Sequence, residues 1–190
     1  MGTGRVAAFS DGVIAIIITI MVLELKVPHD TSTSALLHLA PLFLSYLMSF
    51  LIVAIMWVNH HHLLHTALRA DASLLWTNNL LLFWMSLIPF VTGYMGENHT
   101  APLAVAMYGG LLAPGSAAFG LLRLSVARQH RHDPSLTGYH GRAHRKSITT
   151  FGLYVAAVPL AYVSIWLSYA IFLMIPLAYF IPEHRTAAGE

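Results

Sequence analysis

A charged side chain and a hydroxyl lie at the start of the first long apolar stretch of the sequence. Ser10 and Asp11 directly precede an uncharged run from Gly12 to Leu23. A carboxylate within a lipid-embedded helix is costly unless it is paired or faces protein or water, so Asp11 is a candidate functional residue. Arg5 lies six residues earlier and therefore on a different helix face, which directs both side chains towards other helices.

A run of histidines forms a second polar group, at the far end of the next apolar stretch. Imidazole side chains bind transition metals and haem, and they titrate near physiological pH. His61 and His65 are four residues apart and share one face of a helix. No carboxylate lies within the run and no second pair of histidines lies in another apolar stretch, which argues against a metal or haem centre. The run reads Asn59-His60-His61-His62-Leu63-Leu64-His65.

The composition places both polar groups in a membrane protein. Hydrophobic residues make up 57% of the chain and charged residues 9%, whereas soluble domains average about 25% charged residues. The expected surroundings are therefore the lipid bilayer, and no nucleic acid is expected as a partner. The chain has no cysteine, which excludes disulfides and thiolate metal sites. Without a cysteine nucleophile or a second intramembrane carboxylate to pair with Asp11, enzymatic chemistry is not expected.

The apolar stretches predict an all-α integral membrane protein with six transmembrane helices in a single domain, residues 1–190. A helix of about 20 residues crosses the hydrocarbon core of a bilayer. The last stretch, Ile148 to Ile181, is too long for one span, and we divide it into a tight hairpin of two short helices. The predicted spans are residues 6–26, 35–65, 73–94, 102–126, 147–164 and 167–182, with a basic cytoplasmic loop at 127–146.

The distribution of basic residues predicts the orientation of the chain. Six spans place nine of the ten Lys and Arg residues on the side of the termini, and only Lys26 on the other side. Because basic residues are enriched in cytoplasmic loops, both termini are expected in the cytoplasm. The basic loop 127–146 is interpreted as a solvated connector, with binding of anionic lipid head groups as the alternative.

An apolar stripe runs along the predicted first helix. Ile16, Ile20 and Leu23 are spaced by four and three residues and so lie on one face. Ordinary packing against neighbouring helices is the simplest interpretation of this stripe from the residues alone. Thr19 is the single hydroxyl within the apolar run, and a hydrogen bond to the carbonyl one turn earlier is its default arrangement.

The first stretch carries a distinctive pattern: Arg5, Phe9-Ser10-Asp11-Gly12-Val13, Ala15-Ile16, Thr19 and Leu23-Glu24. This pattern resembles the first-helix signature of the transmembrane protein 175 family, whose members are cation channels. Prokaryotic members have six spans per chain and assemble as tetramers. The resemblance therefore implies a homotetramer in a prokaryotic plasma membrane that conducts potassium ions passively, with no cofactor besides the permeant ion.

The resemblance also implies how the first helix would act. In the family this helix lines the central pore, and the positions matching Ile16, Ile20 and Leu23 form its narrow apolar constrictions. Rings of such side chains can act as a hydrophobic gate by excluding water. Thr19 matches a position that faces or borders the pore, where it would offer oxygen ligands to a partly dehydrated cation.

The remaining motif residues are implied to form a hydrogen-bonded network that steadies the pore helix against the second and third helices. Three other functions stay open. One is a weakly selective cation or proton leak channel, and another is a histidine-based metal or haem membrane protein or transporter. The third is a membrane assembly factor that conducts no ions itself. The network residues are Arg5, Phe9, Ser10, Asp11, Trp57, His61 and Asn78. Asn79 is an alternative to Asn78, and the resemblance also implies His60 and His62 as members.

Overall fold

A computed structural model describes the backbone of residues 2–130 and 134–180, and the side chains of residues 2–130 and 145–179. This part of the chain folds into α-helices joined by short connections. The helices are α1 (Thr3–Leu23), α2 (Thr33–His38), α3 (Ala40–Thr66), α4 (Ala72–Ser86), α5 (Ile88–Glu97), α6 (Pro102–Gln129), α7 (Pro134–Val163) and α8 (Ile165–Phe180).

The described part of the chain is all-helical, with several helices able to cross a membrane, although these helices do not correspond one to one with the predicted spans. Five segments within the described residues are long and apolar enough to cross a bilayer, and a sixth, Ile165–Tyr179, is shorter. The five are Thr3–Leu23, Ala40–Thr66, Ala72–Glu97, Pro102–Gln129 and Arg145–Val163.

Two predicted spans are each divided into two helices. The second predicted span becomes α2 and α3, and Pro41 lies in the first turn of α3. The third predicted span becomes α4 and α5. The break between these two helices is at Leu87, and Pro89 lies in the first turn of α5. Proline has no N–H to donate and its ring clashes with the preceding turn, so a helix readily restarts around it.

The segment predicted as a basic loop, residues 127–146, is helical over most of its length. Helix α6 continues to Gln129, and α7 already begins at Pro134. The loop prediction rested on the change from apolar to basic composition, which marks the edge of the membrane and not the end of a helix. Alanine, arginine and lysine are good helix formers. The alternative of lipid binding by this segment falls only partly on described side chains: Arg128, His130, Arg145 and Lys146 are described, whereas the side chains of Arg131, His132, His140, Arg142 and His144 are not.

The predicted hairpin near the C-terminus corresponds to α7 and α8. Helix α7 ends at Val163, and α8 starts after the single residue Ser164. The two helices are tied by the Ser168 hydroxyl, which donates to the Ala157 carbonyl oxygen at 2.7 Å. This hydrogen bond is fully buried, so it satisfies a polar side chain within the apolar hairpin.

A buried polar cluster that the sequence analysis did not identify joins α3, α5 and α6. The Thr92 hydroxyl lies 2.8 Å from the Ser49 hydroxyl, which lies 2.8 Å from the Tyr108 hydroxyl. All three side chains are buried. Each residue stands alone within an apolar run, so the sequence contains no pattern that would have brought them together.

Gly96 allows α5 to approach the start of α3 closely. A Cβ atom at this position would lie 2.5 Å from Leu42 Cδ1 and 2.9 Å from Leu42 Cα. We expect Gly96→Ala to destabilise the protein by about 1–3 kcal/mol, because the backbone of α3 would have to move. Thermal unfolding of the purified protein, followed by tryptophan fluorescence, would measure this change.

Gly110→Ala provides the matched control for this prediction. A Cβ at Gly110 would lie 4.0 Å from Val158 Cγ2, which is ordinary van der Waals contact. An equal change in unfolding temperature for the two variants would contradict the close approach of α5 and α3.

Candidate functional site

Helix α1 presents two different faces. One face is buried against α3, α4 and α5. The opposite face is exposed in the single chain, so it is available to lipid, water or other protein chains. The buried residues recur every three or four positions, as expected for one side of a helix; they are Val6, Ser10, Ile14, Ile17 and Met21.

The residues predicted to line a pore all lie on the exposed face. The exposed fractions of Ile16, Ile20 and Leu23 are 60%, 42% and 73%. Thr19 is also exposed, and its hydroxyl donates to the Ala15 carbonyl oxygen at 2.8 Å. The structure therefore brings these four residues onto one open side of α1, and Thr19 adopts its default hydrogen bond.

Asp11 connects α1 to α3. Its carboxylate oxygen Oδ1 accepts a hydrogen bond from the indole nitrogen Nε1 of Trp57 at 2.8 Å. The Trp57 ring also neighbours the His61 ring, with 5.8 Å between the ring centroids. A hydrogen bond to a charged group is stronger than one between neutral groups, so this contact fixes the start of α1 to α3.

A second connection runs through Asn78 of α4 and is completely buried. The amide nitrogen of Asn78 donates to Ser10 Oγ at 3.0 Å, and Ser10 Oγ donates to the Val6 carbonyl oxygen at 2.9 Å. The amide oxygen of Asn78 lies 2.7 Å from His60 Nε2. Because this oxygen can only accept, His60 Nε2 carries the hydrogen. One directed chain of hydrogen bonds thus joins α3, α4 and α1.

The structure does not place all the predicted network residues in this chain of hydrogen bonds. Arg5 and Phe9 are exposed and take no part in these hydrogen bonds. The histidine that contacts Asn78 is His60, whereas His61 contacts Trp57 through its ring. Successive residues on a helix point about 100° apart, so only one of two adjacent histidines can face the buried side.

A spacing signal in the sequence favours His60 for this role. The buried residues of α3 include Ser49, Val53, His60 and Leu64. These positions are separated by four, seven and four residues, which keeps them near one face of the helix. His61 lies one position outside this series.

The comparisons with known proteins agree with the signature in the first helix. Residues 5–89 match the family model described as endosomal/lysosomal potassium channel TMEM175. A potassium channel of Chryseobacterium sp. (strain P1-3) is 39% identical over 186 residues, which cover 97% of this chain and 96% of that protein.

A solved structure and a mammalian protein of the same family also match this chain. The crystal structure of a lysosomal potassium-selective channel TMEM175 homolog from Chamaesiphon minutus matches with a TM-score of 0.83 and 32% identity, covering 94% of this chain and 96% of that one. The endosomal/lysosomal proton channel TMEM175 of Homo sapiens is 28% identical over 109 residues, which cover 55% of this chain and 22% of that protein. The resemblance is thereby confirmed, and the chain belongs to the TMEM175 family.

Proposed function

We propose that this protein is a potassium channel in which four copies surround one pore. The observation that carries the proposal is the open apolar stripe of Ile16, Ile20 and Leu23. The stripe lies on a helix whose opposite face is held to α4 by a buried hydrogen bond that Asn78 donates to Ser10. One such helix is too small to enclose a pore, so conduction requires several chains to contribute their stripes.

Rings of these side chains act as the gate and filter of the proposed pore. A narrow apolar ring excludes water, so an ion must lose part of its hydration shell to pass. Potassium holds its hydration shell less tightly than sodium and therefore loses less on passage. Selectivity in this design comes from the cost of dehydration.

Thr19 would stabilise the partly dehydrated ion. Its hydrogen is directed to the Ala15 carbonyl, which leaves the lone pairs of its oxygen available. Four threonine oxygens around the axis would supply ligands of the kind that hard cations prefer.

The proposed channel lies in the plasma membrane of a prokaryote, with six spans per chain and both termini in the cytoplasm. The orientation is supported by the charges, since the single basic residue predicted outside is Lys26. Lys26 Nζ lies 4.0 Å from Glu97 Oε1, and both side chains are exposed. Such an exposed pair contributes little to stability, at most about 1 kcal/mol.

A flux assay with purified protein in potassium-loaded liposomes tests this function. We expect potassium efflux without an ionophore, faster than sodium efflux from matched sodium-loaded vesicles. Protein-free liposomes and liposomes with heat-unfolded protein are the controls. Absent flux from folded protein, or equal rates for the two ions, would contradict a potassium channel.

A proton leak is the second candidate function, because the matched mammalian proteins are named proton channels. A wetted apolar constriction would pass protons along a chain of water molecules. A pH-sensitive dye inside the same liposomes would detect this leak. Acidification that proceeds equally well without potassium would favour the proton channel over the potassium channel.

A further inference from the structure

We propose that His61 and His65 bind a divalent transition-metal ion such as Zn²⁺, Ni²⁺ or Cu²⁺ at the end of α3, and that the bound ion acts on the pore helix through Trp57. The binding part of this proposal is independent of the channel function. Its effect on flux rests on the proposed function.

The geometry of the two imidazole rings carries the binding site. His61 and His65 lie one turn apart on the same face of α3, with 4.4 Å between their ring centroids. Two nitrogens bound to one Zn²⁺ lie within about 4 Å of each other, because each Zn–N bond is about 2.0–2.1 Å long. The rings are therefore already close enough for small rotations to direct one nitrogen of each towards a shared ion.

Both rings are accessible in the single chain. His65 is exposed and His61 is half-buried, near the end of a helix that the charge distribution predicts to be cytoplasmic. His60, in contrast, is buried and engaged by Asn78. The four histidines of the run therefore divide into His60, which belongs to the hydrogen-bonded network, the pair His61 and His65, and the exposed His62, whose ring centroid lies 5.9 Å from that of His61.

The ligand set indicates the class of ion and an exchangeable mode of binding. Imidazole suits Zn²⁺, Ni²⁺ and Cu²⁺, whereas Mg²⁺ and Ca²⁺ prefer oxygen ligands. Among the described residues, no group of three or more His, Cys, Asp or Glu side chains is arranged to hold a metal. Water would therefore complete the coordination of an ion held by two histidines, which is a sensor-type site and not a structural one.

Trp57 links this site to the pore helix. Its ring lies between two partners: the His61 ring at a centroid distance of 5.8 Å, and Asp11, which accepts its N–H at 2.8 Å. An ion that fixes His61 against His65 would restrict the Trp57 ring, and with it the hydrogen bond to α1. Metal binding outside the pore would thus alter the helix that lines it.

Metal titrations of protein purified without a polyhistidine tag test the site. Ni²⁺ binding is measured by equilibrium dialysis and by quenching of tryptophan fluorescence. Removing a residue that only hydrogen-bonds to a metal ligand weakens metal binding roughly 10–100-fold. His65→Gln removes a proposed ligand itself, so we expect the affinity to decrease at least about tenfold. Mg²⁺ should not compete.

Two histidine variants serve as matched controls. The chain has 12 histidines, and several of them could bind metal weakly. The site is therefore tested by the difference in affinity between variants and not by the total amount of metal bound. His62→Gln alters the neighbouring exposed histidine, and His38→Gln alters an exposed histidine on α2. Both should bind as tightly as the wild type. Unchanged affinity in His65→Gln, or an equal loss in His62→Gln, would overturn the site.

Flux measurements test the coupling through Trp57 separately. Zn²⁺ added to both sides should change potassium flux in the wild type at least twofold and leave it unchanged in His65→Gln, whose flux without metal should equal the wild-type value. Metal binding with no effect on a measurable wild-type flux would overturn the coupling. Absence of flux in all variants, with normal metal titrations, would instead contradict the channel function and support the metal site.

Discussion

Replacing Ile20 with asparagine should increase ion flux about tenfold and reduce the preference for potassium over sodium. An amide at the proposed constriction would hold water where a ring of isoleucines would exclude it. A tenfold increase corresponds to a decrease of about 1.4 kcal/mol in the barrier to permeation. The measurement is the rate of potassium and sodium efflux from liposomes that contain equal amounts of folded protein.

Val22→Asn is the matched control for this prediction. Val22 lies on the same helix, and its exposed fraction of 44% is almost that of Ile20, 42%. Two residues further along the helix, however, it points about 160° away from Ile20. Flux that increases equally in both variants would show that polarity anywhere on α1 is sufficient and that the stripe is not the constriction.

Replacing Asn78 with leucine should give the largest loss of stability among the predicted variants. Asn78 satisfies His60 and Ser10, and all three side chains are buried. His60 Nδ1 already has no hydrogen-bond partner within the described part of the chain, so the variant would leave both ring nitrogens unpaired. Each buried polar group left unsatisfied costs about 1–3 kcal/mol.

Thermal unfolding in detergent, followed by tryptophan fluorescence, measures this effect. For a chain of this size, each 1 kcal/mol lowers the unfolding midpoint by about 2–4 °C. Asn79→Leu makes the same chemical change at the adjacent, exposed position and should leave the midpoint nearly unchanged. If Asn78→Leu unfolds at the wild-type temperature, the buried chain of hydrogen bonds does not hold α1.

Much of the candidate site could be predicted from the sequence because its residues lie in one contiguous helix. The spacing of Ile16, Ile20 and Leu23 is fixed by helix geometry, so a common face follows directly. The isolated carboxylate of Asp11 within an apolar stretch required a partner, and Trp57 supplies it. Such local constraints can be derived from the sequence without knowledge of the tertiary structure.

The rest depended on how the helices pack, which one sequence does not specify. His60 and His61 are chemically identical neighbours, and only the rotation of α3 against α4 decides which of them contacts Asn78. Ser49, Thr92 and Tyr108 meet from three separate helices. Their contact depends on interhelical distances that no short pattern encodes.

Helix ends were also harder to predict than membrane spans. Hydropathy reports where lipid contact stops, and α6 and α7 extend beyond that point. The break at Leu87 combines a proline two residues later with continued apolar character, so it does not interrupt the hydropathy signal. The sequence therefore predicts the membrane-embedded stretches better than the helices that contain them.

The reversal potential of the protein in a planar bilayer, with potassium on one side and sodium on the other, tests the central claim most directly. A potassium-selective pore lined by α1 predicts a reversal potential displaced towards the potassium equilibrium value. In Ile16→Asn the displacement should shrink, because the ring that enforces dehydration is lost. A reversal potential of zero in the wild type, or an unaltered one in Ile16→Asn, would contradict a potassium filter on the exposed face of α1.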